Sequence, residues 1–259
     1  MSKMESREIL FSKVEQFWEE YCESLKGKSK TDNVETKFTD IFDKIISNGK
    51  DIQYISGKTN LYRGRIHKGE IKYSNTAIAQ DEMGAPSAEK ATAGRINFDK
   101  EPCLYLTEEQ QTCIYEVKPY IKQFITIGTF ETKKSKIKIL DLCQEEVSGE
   151  LELNTEIMNF IAKKISEPIP PEDRSSDYLP TQKFAQYVQK KGFDGIKYWS
   201  SLIEKGKNVA LFNIDFAKCT GAIVMQVQSY SFTKMFYKTL QANVKASGTL
   251  CTKLLQVIM

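Results

Sequence analysis

Gly192-Phe193-Asp194-Gly195-Ile196-Lys197-Tyr198-Trp199-Ser200-Ser201, followed by Asn208-Val209-Ala210-Leu211-Phe212, decides the fold class. Both segments hold an apolar run of strand length bounded by turn residues. A helix is expected just before them. It opens at Pro180, carries Phe184, Tyr187 and Val188, and closes at Gly192, with proline at the start and glycine past the end. Working outward, more runs of strand length occur at Leu61-Tyr62, Cys103 to Leu106, Phe124 to Gly128, Ile137 to Leu142 and Ile223 to Met225. A second helical stretch carries Leu153, Ile157, Phe160, Ile161 and Ile165, and stops at Pro168, Pro170 and Pro171. Strands and helices do not alternate regularly, so the expected class is α+β, a mixed β core with flanking helices.

Two helices precede this core. The first carries Ile9, Leu10, Val14, Phe17, Trp18, Tyr21 and Leu25 at helical spacing and breaks near Gly27. The second carries Val34, Phe38, Ile41, Phe42, Ile45 and Ile46 and ends at Asn48-Gly49, a good C-cap. Such a pair cannot bury its apolar stripes alone and is expected to pack on the next domain or on a partner chain. The expected organisation is a helical N-terminal extension over residues 1–55, a core over 56–228, and a C-terminal tail over 229–259. In the tail Met235, Phe236, Leu240 and Val244 fit a helix, as do Leu250, Leu254, Leu255 and Ile258.

Composition narrows the class. The 259 residues are 41% hydrophobic and 27% charged, which suits a folded protein with a sizeable core. The 37 basic and 34 acidic residues leave a net charge of +3, too balanced to imply direct nucleic-acid binding. The sequence starts without an apolar signal core, and no run approaches the roughly 18 apolar residues that a membrane span needs. A cytoplasmic location is expected, with the six cysteines reduced and mostly buried. There is no C-x-x-C pair and His67 is the only histidine, so neither a metal site nor a histidine-dependent triad is expected. No P-loop or dinucleotide fingerprint is present.

Polar residues inserted into the apolar runs carry the functional signal. They lie in Leu61-Tyr62-Arg63-Gly64-Arg65, in Met83-Gly84-Ala85-Pro86 through Ala93-Gly94-Arg95-Ile96-Asn97, in Cys103-Leu104-Tyr105-Leu106-Thr107 and Thr112-Cys113-Ile114-Tyr115-Glu116-Val117, and in the segments quoted first. In this order, from about residue 58 to 215, they resemble the RES-domain family, named for an arginine, a glutamate and a serine.

The resemblance implies a fold similar to ADP-ribosyltransferases. It also implies NAD as substrate, cut by hydrolysis or by phosphorolysis with phosphate as co-substrate, and no further cofactor. It implies a toxin held by an antitoxin protein that blocks the pocket. By the same resemblance Arg63 is the family arginine, Glu116 the glutamate, and Ser200 or Ser201 the serine, with Ser200 preferred. Asn208 fits a further polar pocket position.

The chemistry suits these residue types. An arginine fork donates two parallel charge-assisted hydrogen bonds to a pyrophosphate, a role expected for Arg63 with Arg95 or Arg65 as second anchor. An ionised Glu116 is expected to bind ribose hydroxyls and stabilise an oxocarbenium-like ribose. Ser200 has no histidine near it in sequence, so it is expected to orient Glu116 or hold ribose rather than act as nucleophile. Tyr62 and Tyr105 are candidates for stacking on nicotinamide or adenine. Gly84 and Gly94 are candidates for close backbone approach to a phosphate. Residues 70–90 are a candidate lid, and pairing of subunits through the N-terminal helices is a further expectation. Three other readings remain: a mono-ADP-ribosyltransferase acting on a protein, an inactive RES-like module that binds a partner, and an α+β binding protein whose motif matches are fortuitous.

Overall fold

The computed structural model describes residues 3–27, 34–47, 52–55, 59–66, 82–143, 153–167 and 177–228. His67, most of the candidate lid, the Asn48-Gly49 cap and the tail from 229 lie outside the described residues. In chain order the elements are α1 (Lys3–Leu25), α2 (Val34–Ser47), β1 (Ile52–Ile55), β2 (Leu61–Ile66), β3 (Leu104–Thr107), α3 (Gln110–Val117), β4 (Phe124–Thr132), β5 (Ile137–Asp141), α4 (Leu153–Ser166), α5 (Leu179–Lys190), β6 (Gly195–Trp199), β7 (Lys207–Leu211) and β8 (Ala217–Gln226). A short 3-10 turn, Ile214–Phe216, leads into β8.

The strands form one eight-stranded sheet in the order β1-β5-β6-β7-β3-β2-β4-β8. Every pair is antiparallel except β5 with β6, whose crossover contains α4 and α5. This is the expected α+β class, a mixed sheet with flanking helices. Pro180 sits in the first turn of α5, and Gly192 beyond its end takes φ +79, a conformation glycine adopts cheaply.

Alternation along the strands separates two larger cores, beside a small cluster of Cys113, Ile125 and Ile127. Leu140, Ile196 and Ala210 are cross-strand partners and belong to the core shared with the helices. Leu104, Leu106, Val209 and Leu211 belong to the second core, with Ile137 and Ile139. The N-terminal helices complete the first of these. Tyr21 of α1 stacks on Phe38 of α2 at 4.0 Å, Phe42 meets Phe184 of α5 at 4.9 Å, and Trp18 meets Phe160 of α4 at 6.2 Å. These aromatic contacts join α1 and α2 to the sheet-covering helices, as their unburied apolar stripes demanded.

Two elements differ from the sequence expectation. Thr112 to Val117, read as part of the strand-like text, is helical in α3. Residues 52–55, placed in the helical extension, are a strand paired to β5.

Candidate active site

The sheet is nearly divided between β2 and β3. Tyr62 with Thr107 is the one registered pair joining them, whereas six pairs join β2 to β4. Past that pair the strands splay, and a cavity of about 330 Å³ opens in the gap. Its lining includes Tyr62, Arg63 and Gly64 from β2 and Tyr105, Leu106 and Thr107 from β3. Tyr62 and Arg63 are consecutive on β2 and both line the cavity, so side chains from both faces of the strand reach it. One register row crosses its floor: Tyr62, Thr107, Asn208 and Tyr198, from β2, β3, β7 and β6.

Glu116 reaches this cavity from the last turn of α3. The helix lies close on β2 because residue 64 is glycine. A Cβ there would stand 2.9 Å from both Cys113 Sγ and Val117 Cγ1 and 3.0 Å from the Cys113 carbonyl oxygen. The far end of α3 is tied to β7: the Glu109 carboxylate accepts from Thr112 Oγ1 at 2.9 Å and from the Lys207 N–H at 3.4 Å.

A carboxylate in the last helical turn meets the negative end of the helix dipole, which disfavours it by about 0.3–1 kcal/mol. Two donors offset this. Ser200 Oγ and Asn208 Nδ2 both donate to Glu116 Oε1 at 2.8 Å. The Ser200 hydroxyl in turn accepts from the Leu202 N–H at 3.1 Å, which fixes its rotation. Glu116, Ser200 and Asn208 are therefore one constellation, assembled from α3, the end of β6 and the start of β7. Ser201 is not part of it and lies in a separate cavity.

Arg63 lines the same cavity. Among the described residues its Nη1 is buried without a hydrogen-bond partner, and burial, with Arg65 nearby, pushes its guanidinium down to about 10. A buried cationic donor left unpaired is costly unless an anion completes it. Arg65 is turned elsewhere, donating from Nη2 to the Gly84 carbonyl oxygen at 2.6 Å, and it does not line the cavity. Arg95 does line it, but its Nη1 donates to the carbonyl oxygens of Ile165, at 3.0 Å, and Glu167, at the end of α4.

Tyr62 and Tyr105 both wall the cavity. The Tyr105 hydroxyl donates to Asn97 Oδ1 at 2.8 Å and accepts from the Ile96 N–H at 3.1 Å, so its ring is held rigidly. Gly94 presses on this lock: a Cβ would lie 2.6 Å from Asn97 Oδ1 and 2.7 Å from the Tyr105 hydroxyl. Gln182 of α5 donates to the carbonyl oxygens of Gly94 and Asn97 at 2.8 and 2.9 Å, pinning the loop that presents Arg95. Burial raises the hydroxyl pKa of Tyr105 and of Tyr198, the latter with help from Glu116, so both stay neutral.

Sequence reasoning missed Tyr178, Tyr198 and Thr107 as cavity walls, and Gln182 and Asn97 as supports. Tyr178 directly precedes α5, and nothing in its local pattern distinguishes it from an ordinary helix entry. Thr107 and Tyr198 were within reach, since both lie inside the quoted motifs, at Leu104-Tyr105-Leu106-Thr107 and Ile196-Lys197-Tyr198. Among the described residues no three histidine, cysteine, aspartate or glutamate side chains gather as a metal set. No described helix is long and apolar enough to cross a membrane.

Comparison with known proteins adds family membership. No curated protein matches the chain. Among solved structures the chain is similar to one from the M. tuberculosis MbcT–MbcA toxin–antitoxin complex, at 11% identity and a TM-score of 0.43, covering 80% of this chain and 97% of that one. The family model described as RES domain matches residues 62–234, from β2 past the end of β8. That match covers well over half of the sequence, including Arg63, Glu116 and Ser200, and the chain belongs to the RES-domain family.

Proposed function

We propose that the cleft binds NAD and breaks its nicotinamide–ribose bond. The observation that carries this reading is the Glu116 carboxylate, held through one oxygen by Ser200 and Asn208 in a cavity shared with Arg63, whose buried Nη1 has no partner among the described residues. Such a carboxylate suits a ribose that becomes cationic as its bond breaks. Both donors land on Oε1, so Oε2 is left by these two side chains for a ribose hydroxyl. Arg63 supplies the charge complement for the pyrophosphate. Tyr62 and Tyr105 give flat walls for the nicotinamide ring.

The reaction needs no acid to assist departure. The C1′–N bond breaks with its electron pair going to the pyridinium, and nicotinamide leaves as a neutral molecule. An oxygen of water or of inorganic phosphate bonds to C1′. With water, a proton is released to solvent and the product is ADP-ribose. With phosphate, the product is the 1″-phosphate. Depletion of NAD would make the protein a growth-inhibiting toxin, and an antitoxin covering the cleft would restrain it.

The test is NAD consumption by the purified chain, with and without phosphate, read by mass spectrometry. Rapid loss that Arg63→Ala and Glu116→Ala each reduce at least 100-fold, in folded protein, is the expected result. A wild-type protein that consumes no NAD under either condition would overturn the reading. Covalent ADP-ribose on proteins in place of the free products would move it to a transferase.

A further inference from the structure

Behind the floor of the cavity lies a charge that the proposed chemistry does not use. Lys197 is 4% exposed, and among the described residues it is the only charged side chain that is buried. Its neighbours on β6, Ile196 and Tyr198, both belong to the helix-covered core. Successive side chains on a strand point to opposite faces, so Lys197 projects the other way, on the side of its cross-strand partner Val209 and the second core.

A buried ammonium is costly unless carboxylates stand close to it. Two do so here. Asp141, its register partner on β5, accepts from Lys197 Nζ at 2.6 Å, and Glu108, just past β3, accepts at 3.3 Å. Lys207 Nζ stands 3.9 Å from the other Glu108 oxygen. Burial pushes the Lys197 ammonium down. The hydrogen bond and charge of Asp141, with the charge of Glu108, outweigh it and hold the group above its ordinary value of 10.5, so it stays charged.

Each member of this network borders one part of the Glu116 constellation. Lys197 lies three residues before Ser200, on the strand that delivers it. Lys207 is next to Asn208. Glu108 precedes Glu109, the N-cap residue of α3, whose last turn carries Glu116. The backbone joins the same parts: the Glu108 N–H donates to the Lys207 carbonyl oxygen at 3.0 Å, and the Ser200 N–H to the Gly206 carbonyl oxygen at 2.7 Å.

We propose that Lys197 is a positioning residue for this site: held between Asp141 and Glu108, its ammonium fixes β6 against the start of α3 and so sets the reach of Ser200 and Asn208 to Glu116. Its effect on turnover rests on the NAD-cleaving reading; its effect on geometry does not. A buried ion pair adds little stability over well-packed apolar side chains of the same volume. What it supplies is one arrangement, because few geometries satisfy an ammonium and two carboxylates together. Both bonds to Glu116 Oε1 are 2.8 Å long. A lengthening of about 1 Å would break them.

The experiment uses Glu108→Gln in the full-length chain. This change cuts the charge link from Lys197 toward α3 and leaves Lys197 paired with Asp141, so the fold should hold. Lys197→Met tests the same link from its other end, and Glu108→Gln carries the test if that variant fails to fold. The expected result is a kcat about tenfold lower with KM within about twofold of the wild type, the pattern of a contact made in the transition state. In a chain already carrying Ser200→Ala and Asn208→Ala, Glu108→Gln should cost no further turnover, because the groups it positions are gone. Crystal structures of the wild type and of Glu108→Gln should show the Ser200 and Asn208 bonds to Glu116 stretched beyond about 3.5 Å in the variant only. An unaltered kcat overturns the inference, whatever happens to Tm. So does a loss that persists in full without Ser200 and Asn208, or a variant crystal with both bonds intact. A wild type that cleaves no NAD sinks the catalytic reading alone, and the two crystal structures then decide the positioning role.

Discussion

Tyr62 faces Thr107 across the join of β2 and β3, and this single registered pair links two halves of the sheet. Glu116 approaches from α3, which packs on β2 at Gly64, on one side of that join. Ser200 and Asn208 belong to β6 and β7 on the other. The hydrogen bonds to Glu116 therefore bridge the join, and the site reports on any shift between the halves.

Gly64→Ala should move α3 away from β2, because its Cβ has no room beside Cys113 and Val117. Overpacking of this kind costs about 1–3 kcal/mol, and a displacement near 1 Å at a catalytic group costs about 100-fold in rate. The expected outcome is a folded protein with a slightly lower Tm and NAD turnover reduced by about that factor. Normal turnover would mean that α3 does not depend on the glycine for its position.

Ser200→Ala and Asn208→Ala remove donors from the same oxygen. Each is expected to lower kcat about tenfold, equivalent to about 1.4 kcal/mol. Because the two donors share Oε1, their effects should not add, and a double-mutant cycle measures the coupling. Strict additivity would show that they act on different steps.

Arg63 carries a buried Nη1 with no hydrogen-bond partner among the described residues, so an apolar replacement of similar length should relieve the fold. Arg63→Met is expected to raise Tm by about 2–4 °C, corresponding to about 1 kcal/mol. The wild type should gain further Tm on adding NAD and the variant should gain none. A variant less stable than the wild type would show that Arg63 already has its compensating charge.

Asp43 links α2 to α5, accepting from the Tyr187 hydroxyl and from Lys191 Nζ at 2.6 Å. These donors hold its carboxyl below the ordinary value of 3.8. A depressed folded value means that the stabilisation is complete above 3.8 and is lost as pH falls below it. Asp43 and Lys191 are both exposed rather than buried, so Asp43→Asn should lower Tm by only about 1–2 °C at pH 7. The difference should shrink toward zero as thermal melts are taken down through pH 3, and a gap that widens in acid would contradict the assignment.

Much of the fold was legible because local chemistry and tertiary role agree. β3, β5 and β7 are apolar runs bounded by turn residues, and Pro180 and Gly192 bracket α5. Where they disagree, the sequence misleads. The stretch that becomes α3 mixes Thr, Cys, Ile, Tyr and Val, which reads as strand text, and its helix depends on a close approach over Gly64, 46 to 53 positions earlier in the chain. β8 was recognised only at Ile223 to Met225, since its first half, Lys218-Cys219-Thr220-Gly221, carries little apolar signal. In the site, Arg63, Glu116, Ser200 and Asn208 could be named from the motif order. The preference for Ser200 over Ser201 gains its structural reason in the hydrogen bond from Ser200 to Glu116. The choice between Arg65 and Arg95 needed to know which one lines the cavity. Sheet order was out of reach, because antiparallel neighbours such as β3 and β7 are set by long-range packing rather than by adjacent sequence.

The separation of Glu116 from its two donors has a bearing on how the protein is made. Ser200 lies 84 residues after Glu116 and Asn208 lies 92 after it. At a synthesis rate of about 5–20 residues per second, the carboxylate waits roughly 5 to 18 s before Asn208 has been added to the chain. β6 and β7, which carry the donors, also fill the middle of the sheet, so the site cannot form ahead of the fold. A nascent chain that has not yet reached β7 therefore lacks the assembled Glu116 constellation, and the proposed activity can arise only after Asn208 has been added.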